Sequence, residues 1–431
     1  MVVKVEVGTY IKSQGILRKV VLVIIGLPLA LLLVFQIVLV GSFMVPVLIP
    51  FIILSYLSVW LVYYKYAQNT PRLKLPYNPI RIYKIIYVFV ECVDELLTGP
   101  FLPTFWQWLR VKIFEPSLPS QSLKKNIVYS ENQPNRKLDI YLPSLNTQKL
   151  NSKSHSATVE PSETAPSPVI VVACGGTWNK AGSRDVYSPM AQTLRKLGYL
   201  IVLVECDRYS DTKIGDMIAA MQQAVTWIFS HIREYGGDIN QIYLMGHGAG
   251  AHLASLAIIH DALSSLDLLP ESGLASNRIK IPTWRLNKAP KVRGLILFSG
   301  IFDTIAQYDH EKHRGIEEIS GLSRVMGLSG SPSGLTSPSA LLLHVLKCRN
   351  QDTLRSILPS KMLIVHGDKD NIAPLHTARS FFNQLCKVGI SDVKLKIYSN
   401  MKHINPAIGF LAQTTPFCVS LLNDVESFVQ S

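Results

Sequence analysis

The sequence predicts an α/β fold, a mostly parallel sheet with helices on both faces, preceded by an N-terminal transmembrane helical hairpin. Three observations carry this expectation. Val20 to Tyr64 is a run of 45 residues without a charge. From Pro168 onward, short apolar stretches alternate with amphipathic ones. Several of those apolar stretches end in turns rich in glycine or in acidic and histidine residues.

The apolar run comes first. A membrane helix needs about 20 residues, so 45 suffice for two, with Gly41, Ser42 and Pro46 near the middle to make a turn. Arg18 and Lys19 precede the run, and Lys65, Arg72, Lys74, Arg81 and Lys84 follow it. Basic residues on both flanks put both ends on the cytoplasmic side. A hairpin held in one leaflet fits the same pattern, and Pro28, Pro46 and Pro50 keep that geometry open. Of the net charge of +13, residues 1–125 carry a large part, with 13 Lys+Arg against 5 Asp+Glu, as expected of a segment lying against anionic lipid. Nucleic acid is not expected as a partner, because no basic–aromatic patch, zinc pattern or helix-turn-helix accompanies the charge.

The six cysteines, Cys92, Cys174, Cys206, Cys348, Cys386 and Cys418, are scattered without a CxxC pair. Reduced thiols in a cytosolic compartment are the simplest reading. No Asn-x-Ser/Thr site occurs.

The organisation follows. Residues 1–19 form a basic segment, 20–64 the hairpin, 65–125 a membrane-proximal amphipathic connector and 126–431 the α/β domain. IRIYKIIYVFVECVDELL, 80–97, has helical spacing. FLPTFWQWLRVKIF, 101–114, suits either a core helix or one lying in a membrane interface. NIVYSENQPNRKLDIYLP, 126–143, reads as two strands and a polar turn. Residues 145–167, rich in Ser, Thr and Pro, read as a disordered insertion. PVIVVAC, YLIVLVEC, QIYLMG, VRGLILFSG, KMLIVHG and VKLKIYSN are then strands, with amphipathic helices between them and PFCVSLLNDVESFVQ as a closing helix.

Candidate chemistry lies at the strand ends, where such sheets place their sites. After PVIVVAC come Gly175 and Gly176, whose amides suit an oxyanion hole. After QIYLM comes GHGAGAH, residues 246–252, with the layout of a nucleophile elbow but with Gly248 in the middle. Asp368 and Asp370 follow KMLIV, and His403 follows VKLKIYSN. The order elbow, acid, histidine is that of the α/β-hydrolase fold.

With these stretches in view, the sequence resembles the isoprenylcysteine methylesterase-like branch of the α/β-hydrolases, close to the kynurenine formamidase and carboxylesterase groups. VYSENQPNRKLDIYLP, CGGTW, REYGGDINQIYLMGHGAGAHLASL, FSGIFD, YDHEKHRGIEE, HGDKDNIAP and YSNMKHINP carry the likeness, over roughly residues 126–425. The resemblance implies membrane-anchored serine esterases acting on a carboxyl methyl ester of a prenylated cysteine. It implies Gly248 at the nucleophile position, Asp370 as the acid, His403 as the base, and the amides of Gly175, Gly176 and Ala249 as the oxyanion hole. Two residues depart from the pattern: Cys174 stands where relatives have the histidine of HGG, and Gly248 where they have serine.

Neither a cofactor nor a metal is expected. His310 and His313 are three apart, but no third ligand is near. Cys174 as a substitute nucleophile would sit on the oxyanion loop instead of the elbow, and Ser255 belongs to the following helix. Without a hydroxyl at 248 no acyl-enzyme forms, and loss of the nucleophile costs serine enzymes about 10⁶-fold. Two functions follow. One is a catalytically impaired, membrane-anchored module binding a lipid, prenyl, acyl or ester ligand or a protein partner of unknown identity. The other is an atypical carboxylesterase in which Asp370 and His403 activate water or another nucleophile. Topology and resemblance together point to the endoplasmic reticulum membrane with the domain in the cytosol.

Overall fold

The computed structural model describes residues 19–20, 22–67, 75–98, 106, 109, 122–144, 165–176, 178, 184–205, 212–269, 291–326, 336–348, 350–410 and 417–431. The basic segment before Lys19, most of the aromatic stretch 101–114 and nearly all of the insertion at 145–167 therefore lie outside the described residues. The chain divides into two compact units, Met1–Ile86 and Tyr87–Ser431.

In the first unit a π-helical turn, Leu22–Gly26, leads into helix α1, Leu27–Tyr66. Two spans there, Val23–Ser42 and Met44–Tyr66, are long and apolar enough to cross a membrane. Leu29, Phe35, Val47 and Phe51 are each more than 60% exposed, which is costly in water and neutral in lipid. The sequence leads one to expect a turn at Gly41–Pro46, whereas α1 is helical across the junction of the two spans. Pro46 and Pro50 lie inside it; each removes one backbone donor while its fixed φ stays compatible with helix. After α1 the chain turns back, and Trp60 Nε1 donates to the Pro76 carbonyl at 2.9 Å. Arg81 Nε donates to the Tyr63 hydroxyl at 2.8 Å. Helix α2, Pro79–Thr98, begins where Asn78 Oδ1 accepts from Ile80 N–H, and it continues into the second unit.

The second unit is built on one eight-stranded sheet. Its strands are β1 (Leu123–Val128), β2 (Lys137–Tyr141), β3 (Ser167–Cys174), β4 (Leu200–Glu205), β5 (Gly237–His247), β6 (Gly294–Phe298), β7 (Lys361–Gly367) and β8 (Asp392–Tyr398). Their order is β1-β2-β4-β3-β5-β6-β7-β8. β1 and β2 run antiparallel at one end, and the remaining neighbours from β4 to β8 are parallel. The main helices are α3 (Arg184–Arg195), α4 (Ile214–His231), α5 (Ala249–Ser265), α6 (Thr304–Arg314), α7 (Pro338–Lys347), α8 (Leu375–Val388) and α9 (Cys418–Gln430).

Alternation along β3 shows why the sheet is covered twice. Val169, Val171 and Ala173 point into one core with Met217, Ile218 and Met221 of α4 and Leu253 and Leu256 of α5. Ile170, Val172 and Cys174 point into the other, with Tyr187, Met190 and Leu194 of α3 and Leu421, Val425 and Phe428 of α9. Successive side chains of a strand face opposite sides, so an uninterrupted apolar strand needs cover on both. The antiparallel end is tied down by Arg184, which bonds Asp139, Glu205 and Asn126.

Leu244 is wholly buried at the centre of β5. Leu244→Ala is expected to cost roughly 2–5 kcal/mol, measurable as a lowered urea midpoint with an unchanged m-value.

Candidate active site

The strand order reverses between β3 and β5, and the loops leaving their carboxyl ends flank the crevice where doubly wound sheets bind ligands. Both loops are glycine-rich for a reason that can be measured. A Cβ on Gly175 would lie 2.5 Å from the His247 carbonyl and 2.6 Å from Gly250 N. One on Gly250 would lie 2.3 Å from the Ala173 carbonyl, and one on Gly246 would lie 2.5 Å from Ala251 N. These contacts are with backbone, which has no side-chain freedom to yield. Glycine is what lets α5 start directly against the end of β3.

Between β5 and α5 stands Gly248, at φ 56° and ψ −118°. That left-handed φ is strained for any residue with a side chain. Its N–H donates to the Phe298 carbonyl at 2.9 Å, fixing the turn to β6. A Cβ at this position would point at His403, with Nε2 at 3.1 Å. Ala249, Gly250 and Ala251 open helix α5, so their N–H groups have no partner within the helix and form its positive end. Gly175 and Gly176 adjoin this end from the loop after β3. Trp178, also on that loop, is held at φ 65° and packs edge-on against His252.

The acid and the histidine come together from the ends of β7 and β8. His403 Nδ1–H donates to Asp370 Oδ2 at 2.9 Å. Asp370 Oδ1 also accepts from Ile372 N–H at 2.9 Å and Ala373 N–H at 2.8 Å. Burial alone would raise this carboxyl. The adjacent His403 and His366 and the Ala373 amide outweigh that and hold it at about 2. An ionised Asp370 keeps the proton of His403 on Nδ1, leaving Nε2 with its lone pair toward Gly248.

Sequence reasoning missed the residues that hold these loops. His247 is buried, and its Nε2–H donates to the His403 carbonyl at 2.8 Å. Burial, with His403 nearby, pushes its pKa down to about 3, so it is neutral. Asp368 takes no part in the pair; it accepts from Asn400 N–H at 2.7 Å and braces one loop against the other. His310, weighed above as a metal ligand, donates instead to the Asn371 carbonyl at 2.8 Å, and His313 bonds the Asp309 carbonyl. Gln307 Nε2 donates to the Ile372 carbonyl. GHGAGAH displays His247 in plain view, but nothing local reveals a partner 156 positions away. Cys174 is the buried last residue of β3, and Ser255 is buried inside α5, its Oγ bonded to the Ala251 carbonyl. A groove of about 600 Å³ beside Tyr129, Gln222, Trp227 and Asp261 includes none of these groups.

The arrangement brings together the Asp370–His403 pair, the backbone amides at the start of α5 and, facing His403 Nε2, a glycine without a side chain. An eight-stranded mostly parallel sheet with a glycine turn and an Asp–His pair at the ends of β7 and β8 is the arrangement of the α/β-hydrolase fold. The chain belongs to the BD-FAE family, whose model matches residues 158–385. Its similarity extends to isoprenylcysteine methylesterases. A probable isoprenylcysteine alpha-carbonyl methylesterase of Arabidopsis thaliana is 27% identical over 288 residues, 66% of this chain and 51% of that protein. An isoprenylcysteine alpha-carbonyl methylesterase of the same plant is 26% identical over 284 residues, 66% and 57% of the two chains. The chain thus spans about half the length of the curated relatives it matches. Among solved structures, esterase B from Lactobacillus rhamnosis superposes with a TM-score of 0.55 at 12% identity, covering 81% of this chain and 96% of that one. At that identity the likeness concerns the fold.

Two outcomes are expected. Gly250→Ala forces backbone apart at 2.3 Å and is expected to lower stability by more than about 2 kcal/mol, read by thermal melts. His247 and His252, lowered to about 3 and about 4 chiefly by burial, bind fewer protons folded than unfolded. Their contribution is complete above the ordinary histidine value of 6.5 and is lost as pH falls from there toward 4 and below. Melting temperature is therefore expected to fall steeply below pH 6.5. His252→Asn, which retains a donor for the Ile301 carbonyl, is expected to shallow that slope by about one proton, or about 1.4 kcal/mol per pH unit.

Proposed function

We propose that the protein is a membrane-anchored ester-hydrolase-like module that binds a carboxylic ester or a prenyl or acyl group without forming an acyl-enzyme. The observation that carries this is Gly248: the position facing His403 Nε2 at 3.1 Å has no atom that can attack a carbonyl. The ligand class comes from the relatives, named as isoprenylcysteine alpha-carbonyl methylesterases. Membrane anchoring is supported by the two apolar spans. At about 1.5 Å per residue each of the spans Val23–Ser42 and Met44–Tyr66 matches a bilayer's hydrocarbon thickness, and two crossings require α1 to bend between them, where Gly41, Pro46 and Pro50 lie. Basic residues on both flanks of the apolar run support a cytosolic α/β unit, and the endoplasmic reticulum is the membrane this reading favours.

The retained Asp370–His403 pair supports a second reading, an esterase in which His403 Nε2 deprotonates a water that attacks the ester directly. Proton acceptance at Nε2 with Asp370 stabilising the imidazolium is ordinary general-base chemistry, and without covalent catalysis it would be slow.

A fluorophosphonate probe separates these readings when applied beside Gly248→Ser. The native chain is expected to remain unlabelled and the variant to label at position 248. A serine there must accept φ 56°, and His403 must give by a few tenths of an ångström, so the variant is expected to lose about 1–2 kcal/mol of stability. Labelling of a serine in the native chain would overturn the assignment of Gly248. Ester turnover by the native chain that disappears in His403→Ala would replace the binding reading with the water reading.

A further inference from the structure

Helix α6 is fixed at both ends. Asp303 Oδ1 accepts from Ile305 N–H and Ala306 N–H at its start, and Gly315 closes it at φ 74°. Gln307, His310 and Arg314 stand three and four residues apart, so they share one face of the helix. All three donate to main-chain carbonyls of the short stretch after Asp370. Gln307 Nε2 reaches the Ile372 carbonyl at 2.9 Å. His310 Nε2–H and Arg314 Nη1 both reach the Asn371 carbonyl, at 2.8 and 2.6 Å. Two of these donors are themselves held in place. Gln307 is buried, and its Nε2 also donates to Glu311 Oε1 at 3.3 Å. Arg314 Nη2 donates to Glu91 Oε2 at 2.6 Å.

The two carbonyls are the far ends of the groups that hold Asp370. A peptide unit is planar and trans, so its C=O and the N–H that follows point in opposite directions. The Asn371 carbonyl therefore shares a plane with Ile372 N–H, and the Ile372 carbonyl shares one with Ala373 N–H. These are the two N–H groups that bond Asp370 Oδ1, at 2.9 and 2.8 Å. Fixing each oxygen fixes the direction of the hydrogen opposite it. A bond accepted at the oxygen also polarises the unit and strengthens donation from its nitrogen. The side chains of Asn371 and Ile372 are exposed, so their own packing does not orient these planes; the bonds from α6 do.

We propose that Gln307, His310 and Arg314 are positioning residues that aim the Asp370 carboxylate at His403 through two peptide planes. This rests on the reading of Asp370 and His403 as an acid–base pair. It gives the stretch YDHEKHRG a task other than metal binding: donors spaced along one helix face meet two successive carbonyls of one turn. Each plane has its own donors, so the two can be released separately.

Site-resolved hydrogen exchange of the full chain in detergent micelles provides the test. Gln307→Met removes a donor at nearly constant volume. It is expected to accelerate exchange at Ala373 N–H about fivefold, the worth of one hydrogen bond, and to leave Ile372 N–H little changed. His310→Phe combined with Arg314→Met is expected to do the reverse. His310→Gln with Arg314→Lys, which keeps donors at both positions, is expected to retain the protection at Ile372. Amides of β5 are expected to exchange as in the native chain throughout, which separates the effect from a loss of fold. Added to Gly248→Ser, Gln307→Met is expected to slow fluorophosphonate labelling at position 248 about fivefold. Equal acceleration at both amides, or acceleration that reaches β5, reduces these bonds to general packing and overturns the proposal, as does unchanged exchange at both. Labelling of Gly248→Ser that Gln307→Met does not slow overturns it as well. Exchange that follows the two planes while Gly248→Ser never labels upholds the relay to Asp370 and removes the acid–base reading instead.

Discussion

How closely helix α5 can approach the end of β3 governs the geometry of everything at the strand ends. Gly175, Gly246 and Gly250 remove the Cβ atoms that would hold these backbones apart, the closest at 2.3 Å from a carbonyl. With the helix drawn in, its unpaired N–H groups and the loop amides face one small region, and the turn at Gly248 is forced into a left-handed φ. A larger residue at any of the three would push the helix outward and disperse that region. Packing, rather than any single hydrogen bond, is the precondition for the site.

The opposite wall is made differently. Gly367 allows β7 and the loop after β8 to meet so closely that a Cβ would lie 1.9 Å from the Met401 carbonyl. Lys369 N–H then bonds Met401, Asp368 bonds Asn400, and His247 reaches across to the His403 carbonyl. Asp370 and His403 are thus held by their backbones before their side chains meet. The buried imidazole of His247 serves this purpose because it is neutral; a charge there would be both desolvated and beside His403.

Much of this was legible in the sequence because it depends on local pattern. Alternating apolar strands and amphipathic helices, and glycines after PVIVVAC and QIYLM, state the topology and the elbow directly. Asp370 and His403 were legible because turn residues at two strand ends occur in a known order. The braces were not. Asp368 sits in the same HGDKD stretch and has equal claim by composition; only the fold turns it toward Asn400 instead of His403. His310 invited a metal reading because spacing along a helix says nothing of the carbonyl 61 residues away that it bonds. The continuous helix across Gly41–Pro46 was also hidden, since proline and glycine mark both turns and tolerated interruptions.

The left-handed turn at residue 248 has an evolutionary consequence. Serine and glycine are one nucleotide substitution apart, and at this backbone conformation the exchange to glycine relieves strain instead of creating it. Side chains held in strained active-site conformations cost stability, so their removal commonly relieves a fold; here the scaffold and the Asp370–His403 pair stand in place around the glycine. A lineage making the exchange would meet no penalty in stability on the way out, but would have to give stability up to return. On stability alone the geometry of this turn favours glycine over any residue with a side chain.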